Sequence, residues 1–182
     1  MILLKDHEGR IFNTAGDSIL AEFSSPVKAV ECAVKIQNIN EAKNRECAEQ
    51  RRMHFRMGIN IGDVMVSNNN LYGDAVNIAA RLEASAAIDG VCISKNTYEM
   101  VNMKVRVSYK DASELELKNI GRPMKAYRIT PCKGVTRYFV SSGEKPKIKV
   151  ERAEPGSLVV MLFKNLSQDK EQGYFVKDFL KI

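Results

Sequence analysis

His54-Phe55-Arg56-Met57-Gly58-Ile59-Asn60-Ile61-Gly62-Asp63 and, a few residues on, Leu71-Tyr72-Gly73-Asp74-Ala75-Val76-Asn77-Ile78-Ala79-Ala80-Arg81-Leu82-Glu83 carry two different periods. In the first stretch Phe55, Met57, Ile59 and Ile61 alternate with His54, Arg56, Gly58 and Asn60, which predicts a half-buried strand. Gly62-Asp63 reads as a tight turn, with Asp63 structural, and Val64-Met65-Val66 as the partner strand of a hairpin. In the second stretch Val76, Ala79, Ala80 and Leu82 give a helix its apolar face. Asp74 is the expected N-cap, its carboxylate accepting from first-turn N–H groups. Asn77 and Arg81 stand four apart and share one face of that helix. An amide beside a guanidinium fork suits a phosphate, or the charge that develops when one is attacked. Spacing alone favours the plainer reading, a surface pair worth about 0.2–0.5 kcal/mol.

Upstream, 9–23 reads as a hairpin with Ala15-Gly16-Asp17 at its turn. Ser25 caps the next helix and Pro26 sits in its first turn, with Ala29, Cys32, Ala33 and Ile36 facing inward. Downstream, 90–94 is a short buried strand and 96–101 a short helix. Val105-Arg106-Val107, Leu115-Glu116-Leu117 and 125–129 are strand candidates. Strands alternating with helices, with two hairpins, predict an α/β sandwich on a mixed or antiparallel sheet. The stretch 131–156 is rich in Lys, Glu, Gly, Ser and Pro and reads as a linker. Beyond it, Leu158-Val159-Val160-Met161-Leu162-Phe163 is an apolar strand and 171–182 an amphipathic helix, too little to fold alone. The expected organisation is one domain over 1–130, a linker, and the opening of a second α/β domain over 157–182.

The chain has 182 residues, is 45% hydrophobic and carries a net charge of +6, the balance of a globular protein with a mild excess of base. Arg51-Arg52 and the Lys145, Lys147, Lys149 series are the densest basic places and read as solvated surface, so no nucleic-acid partner is expected. Cys32, Cys47, Cys92 and Cys132 have no paired or ligand spacing, which fits a reduced, cytoplasmic chain, with Cys32 and Cys92 as buried small hydrophobes. His7 and His54 have no partner spacing either and read as satisfied or exposed side chains. No run approaches the ~20 apolar residues of a membrane helix, and none is expected.

Four stretches together resemble the class III nucleotidyl cyclase catalytic domain in its bacterial adenylate cyclase form. They are Gly9-Arg10-Ile11-Phe12-Asn13-Thr14-Ala15-Gly16-Asp17-Ser18-Ile19-Leu20-Ala21-Glu22-Phe23, then 56–63, then 71–83. Last comes Leu115-Glu116-Leu117-Lys118-Asn119-Ile120-Gly121-Arg122-Pro123 with Tyr127-Arg128. The resemblance implies an α+β, ferredoxin-like (βαββαβ-derived) sandwich. It also implies conversion of ATP to 3′,5′-cyclic AMP and pyrophosphate between the subunits of a head-to-tail dimer, with two ions of Mg²⁺ or Mn²⁺. By position, Asp17 matches the second of the family's metal-binding aspartates. Asn77 and Arg81 match the pair that orients the ribose and stabilises the transition state, and Lys118 matches the lysine that meets the terminal phosphates. Asn13 and Asn70 stand where many adenylate cyclases carry lysine and aspartate or threonine to read adenine. Each Asn offers a donor and an acceptor.

The family's first metal aspartate lies on an opening strand, upstream of the Gly-Asp turn by more than the sixteen residues that precede Asp17. The resemblance therefore implies a sheet lacking its opening strand and helix, followed by a C-terminal strand–helix fragment, in a chain short of one metal ligand and with little activity by itself. Leu158-Val159-Val160-Met161-Leu162-Phe163-Lys164-Asn165-Leu166-Ser167 with Glu171-Gln172-Gly173-Tyr174-Phe175 is similar to the start of a small domain that follows the cyclase in proteins ending in tetratricopeptide repeats. That implies protein partners through a region beyond this chain. Two other classes remain open. One is a pseudocyclase that binds nucleotide or pairs with an intact subunit; the other is a ferredoxin-like binding module with no nucleotide role.

Overall fold

The computed structural model describes residues 2–15, 18–67, 70–115, 123–130 and 157–166. In chain order it runs α1 (Ile2–Asp6), β1 (Gly9–Ala15), β2 (Ser18–Phe23), α2 (Pro26–Glu46), a 3₁₀ turn (Glu49–Arg51), β3 (Phe55–Asp63), β4 (Met65–Ser67), β5 (Asn70–Tyr72), α3 (Asp74–Ser85), β6 (Val91–Ser94), α4 (Lys95–Val101), β7 (Ser108–Leu115), β8 (Met124–Thr130) and β9 (Ser157–Asn165). β4 and β5 form a separate two-stranded ribbon. The other seven make one sheet in the order β1-β2-β9-β3-β6-β8-β7. Neighbours are antiparallel except β3 and β6, which are parallel. The α+β class expected from the sequence holds.

The position of β9 changes the expected organisation. Expected at the opening of a second domain, it instead lies between β2 and β3, paired from Ser18↔Lys164 to Phe23↔Val159 on one side and from Phe55↔Asn165 to Asp63↔Ser157 on the other. Its apolar residues run without a polar break from Leu158 to Phe163, and both faces are covered: Val159, Val160, Met161 and Phe163 are each at most 2% exposed. Such a run suits an interior strand. β2 and β3 do not pair with each other among the described residues, so without β9 each would bury an unpaired backbone edge. The sheet expected to lack a strand has that gap closed by a strand from the far end of the chain. The expected linker and C-terminal helix fall outside the described residues.

α2 and α4 cover one face of the sheet and α3 the other. α2 starts as its sequence predicts, with the Ser25 hydroxyl accepting from Lys28 N–H at 3.5 Å and Pro26 in the first turn. Ala29, Cys32, Ala33 and Ile36 are 0% exposed and pack with Phe23, Phe55, Met57, Ile59 and Phe163. Phe55 and Phe163 meet edge to face at 5.5 Å, tying β3 to β9.

Three local expectations are corrected. β3 is buried on both faces rather than one, because α3 covers the side carrying Gly58 and Asn60. Val64-Met65-Val66 does not fold back on β3. Met65–Ser67 pairs with Asn70–Tyr72 instead and leaves Met65 69% and Val66 59% exposed. Val105-Arg106-Val107 precedes β7 rather than forming a strand, and Val105 is buried there as core.

Candidate active site

α3 is the element on which the site is built. Its N-cap is Gly73 at φ 134°, not Asp74, which occupies the first turn where a carboxylate favours the positive end of the helix. The helix lies directly on β3. A Cβ placed on Gly58 would meet Ala79 O at 2.1 Å and Glu83 N at 2.3 Å, so glycine sets how closely helix and strand approach. Asn60 Nδ2 donates to Ala75 O at 3.2 Å and Arg56 Nε to Glu83 at 2.9 Å, fixing helix to strand at both ends. Glu83 is 5% exposed, and its charge is held by that guanidinium. Ala75, Ala79 and Leu82 point into the protein, which turns Asn77 and Arg81 outward, both exposed on one stripe. Among the described residues neither side chain hydrogen-bonds or ion-pairs with a neighbour.

Asn13 reaches the same side of the sheet through a β-bulge. The register slips between Ile11 and Asn13, so Phe12 and Asn13 both lie against Leu20 instead of alternating. Phe12 is buried in the α3-side cluster with Leu20, and Asn13 beside it is exposed. Register then runs in one row from Asn13 through Leu20, Leu162, Gly58 and Cys92 to Arg128. β5, which carries Asn70, packs against β1 and α3. The fold thus brings together the segments bearing Asn13, Asn70, Asn77 and Arg81. Asp17 and Lys118 lie outside the described residues.

At the end of the sheet where β2 begins, Ser18, Lys164 and Arg56 are in register on β2, β9 and β3. Two of the three are cations, and among the described residues no group of three His, Cys, Asp or Glu could hold a metal ion. Ser18, Lys164 and Arg56 by themselves do not make up a ligand set for divalent ions. Burial pushes the Cys32 thiol up to about 12 and Cys92 up to about 11, so both stay neutral and act as core.

Sequence reasoning missed the partners of the second motif. His54 Nδ1 lies 2.7 Å from Asp89 Oδ2, and Asp89 also accepts from Phe55 N–H at 3.1 Å, which pins the start of β3. The signal available was Asp89-Gly90 just before a predicted strand. A cavity of 410 Å³ beside this pair, lined by Gln37, Asn44 and Arg52 among others, opens on the α2 side away from Asn77 and Arg81. The satisfied reading of the histidines holds: His7 Nδ1 is 2.8 Å from Leu3 O. No helix among the described residues is long and apolar enough to cross a membrane.

The sequence profile of the adenylate and guanylate cyclase catalytic domain matches residues 3–150. A protein of Rhizobium meliloti named "Putative adenylate cyclase 3" is 42% identical over 169 residues, 93% of this chain and 28% of its own length, so the chain spans little over a quarter of that relative. An adenylate/guanylate cyclase/hydrolase from Silicibacter pomeroyi superposes with a TM-score of 0.68 at 32% identity, covering 72% of this chain and 78% of that one. The guanylate cyclase domain of RhGC from Catenaria anguillulae, solved with GTP, shares the fold, with a TM-score of 0.58 at 24% identity over 71% of this chain and 76% of its own. The chain belongs to the adenylate and guanylate cyclase catalytic-domain family.

Proposed function

We propose that this domain takes part in converting ATP to 3′,5′-cyclic AMP and pyrophosphate, and that it contributes the nucleotide-orienting half of a site shared with a second cyclase domain. The observation that carries this reading is the outward stripe of α3: an exposed Arg81 and an exposed Asn77 with no partner among the described residues. In the reaction the ribose 3′-oxygen gives its proton to solvent and bonds to the α-phosphorus, while the bond from that phosphorus to the oxygen of the departing pyrophosphate breaks. Asn77 orients the ribose, and the Arg81 guanidinium stabilises charge on the phosphoryl oxygens as it develops. Asn13 and Asn70 read the adenine edge, and Lys118 meets the terminal phosphates. Relatives of this family named for either nucleotide exist, and the Asn pair favours ATP because neither position carries the glutamate or cysteine expected of a guanylate cyclase. Divalent ions, if bound, would supply activation of the 3′-hydroxyl and neutralise triphosphate charge, with Asp17 as the residue that would hold one. The described residues do not complete their ligand set.

Dimerisation is supported by the β4–β5 ribbon beside α3, which exposes Met65, Val66 and Tyr72. A second reading, a pseudocyclase that lends Asn77 and Arg81 to an intact partner, is favoured by Lys164 and Arg56 in register with Ser18. One assay separates the two. The purified chain is given ATP or GTP with Mg²⁺ or Mn²⁺, alone and mixed with a cyclase whose own Asn/Arg pair has been removed. Cyclic AMP from the chain alone, lost on Arg81→Ala, supports the enzyme. Product from the mixture alone identifies the pseudocyclase. No product and no binding of an ATP analogue defeats both.

A further inference from the structure

β9 is the described strand through which β2 and β3 are joined: β2 pairs with β1 and β9, and β3 with β9 and β6. Its side chains divide by parity. Val159, Met161 and Phe163 enter the core under α2. Val160, 0% exposed, enters the cluster of Phe12, Leu20, Leu71, Ala75 and Ala79, with Leu158 and Leu162 packed beside it. Those neighbours adjoin the candidate site residues along the chain. Phe12 precedes Asn13, Leu71 follows Asn70, and Ala75 and Ala79 bracket Asn77 on α3. One buried valine, far from the motifs in sequence, therefore packs in the cluster shared by the three segments that carry the nucleotide-side residues.

We infer that Val160 is a positioning residue, which holds the β1 bulge, β5 and the first turns of α3 at one spacing and so sets how Asn13, Asn70 and Asn77 meet a nucleotide. The inference rests on the reading that these residues face ATP. Close-packed interiors do not absorb a missing methyl pair without movement, and the gap left by truncating Val160 would be shared by three segments free to relax separately. Met161 is the internal comparison. It is on the same strand and equally buried, but its side chain enters the opposite core.

The test uses the full chain as Val160→Ala, Met161→Ala and Val160→Ile, read by hydrogen exchange without ligand and by binding of a fluorescent ATP analogue. Val160→Ala should speed exchange across 70–82 by about tenfold beyond any change elsewhere and weaken the analogue by about tenfold. Met161→Ala should speed exchange in α2 and leave analogue affinity near wild type, and Val160→Ile should restore both readouts. Exchange that rises evenly over the domain in both alanine variants would overturn the inference and leave β9 as structure alone. A wild-type chain that binds no analogue would overturn the nucleotide reading, while the exchange pattern would still decide whether Val160 sets the spacing. Should Val160→Ala not fold, Val160→Thr, of nearly the same shape, is held to the same two outcomes.

Discussion

The two faces of the sheet are built differently. Among the described residues, ten of the eleven largest fully buried side chains lie under α2 and α4, among them Phe23, Phe55, Phe163, Ile36 and Met161, and no candidate residue does. On the other face a helix of 12 residues sits in two small clusters rich in alanine, and Asn13, Asn77 and Arg81 stand exposed around it. A deep core on one side supplies most of the apolar burial, at about 25 cal/mol per Å². The other side is then free to stay thin, close-fitting and open. Substitutions on the first face should cost stability, and those on the outer stripe of the second should cost chemistry.

Gly58 is where that division is most easily broken. Valine there would drive its side chain into the backbone of α3 at Ala79 and Glu83, which no rotamer relieves. Gly58→Val should cost more than about 4 kcal/mol, in the range where a single change unfolds a domain of ordinary stability. Urea titration followed by circular dichroism measures it. A midpoint near wild type would show that α3 does not rest on β3 as described.

Phe163→Ala tests the thick face and the place of β9 together. Loss of a buried phenyl ring in edge contact with Phe55 should cost about 3–5 kcal/mol, and the whole domain should unfold earlier in a single transition. An unchanged main transition, with the loss confined to a minor one, would put β9 outside the sheet.

The misplacement of β9 in the sequence reading has a physical cause. The hairpin at β1 and β2, the Ser25 cap and the extended run of β3 are local patterns, and each element forms where its residues predict. An uninterrupted apolar run from Leu158 to Phe163 says that both faces are covered but not by what, and no local pattern names a partner so far back in the chain. Met65 and Val66 failed for the opposite reason: their apolar character predicted a place in the main sheet, and they are on the surface. Asn77 and Arg81 were legible as a pair from their spacing, but it was not legible that Glu83 pairs with Arg56 and leaves both without a partner among the described residues. The bulge that turns Asn13 toward α3 has no sequence signal, since neither Phe12 nor Asn13 is glycine.

Arg81→Ala sharpens the contrast from the thin side. With no partner among the described residues to lose, the variant should unfold within about 0.5 kcal/mol of wild type. Product formation should fall by about 10²–10³-fold, the usual loss when a group that stabilises transition-state charge is removed. Equal losses of stability and activity would make Arg81 a structural residue.

Glu22 gives the smallest effect and a sign that can be checked. It lies on β2 in register with Arg10 on one side and Val160 on the other, with Arg10 Nε 3.1 Å from its carboxylate. Burial holds the Glu22 carboxyl above its ordinary value, and the Arg10 charge pulls it only part of the way back. A carboxyl whose folded value is raised binds its proton more readily in the folded state. Its contribution is therefore full below the unfolded value and is lost as pH rises through the folded one. Glutamine keeps the shape and never ionises. Glu22→Gln should thus match wild type near about pH 4 and become the more stable of the two toward about pH 7, by less than about 1 kcal/mol for a group only partly buried. Paired urea midpoints at the two pH values give the difference. Were wild type instead to gain on the variant as pH rises, attraction to Arg10 would outweigh burial, and the open edge of the α3 face would hold a stabilising ion pair rather than a tolerated charge.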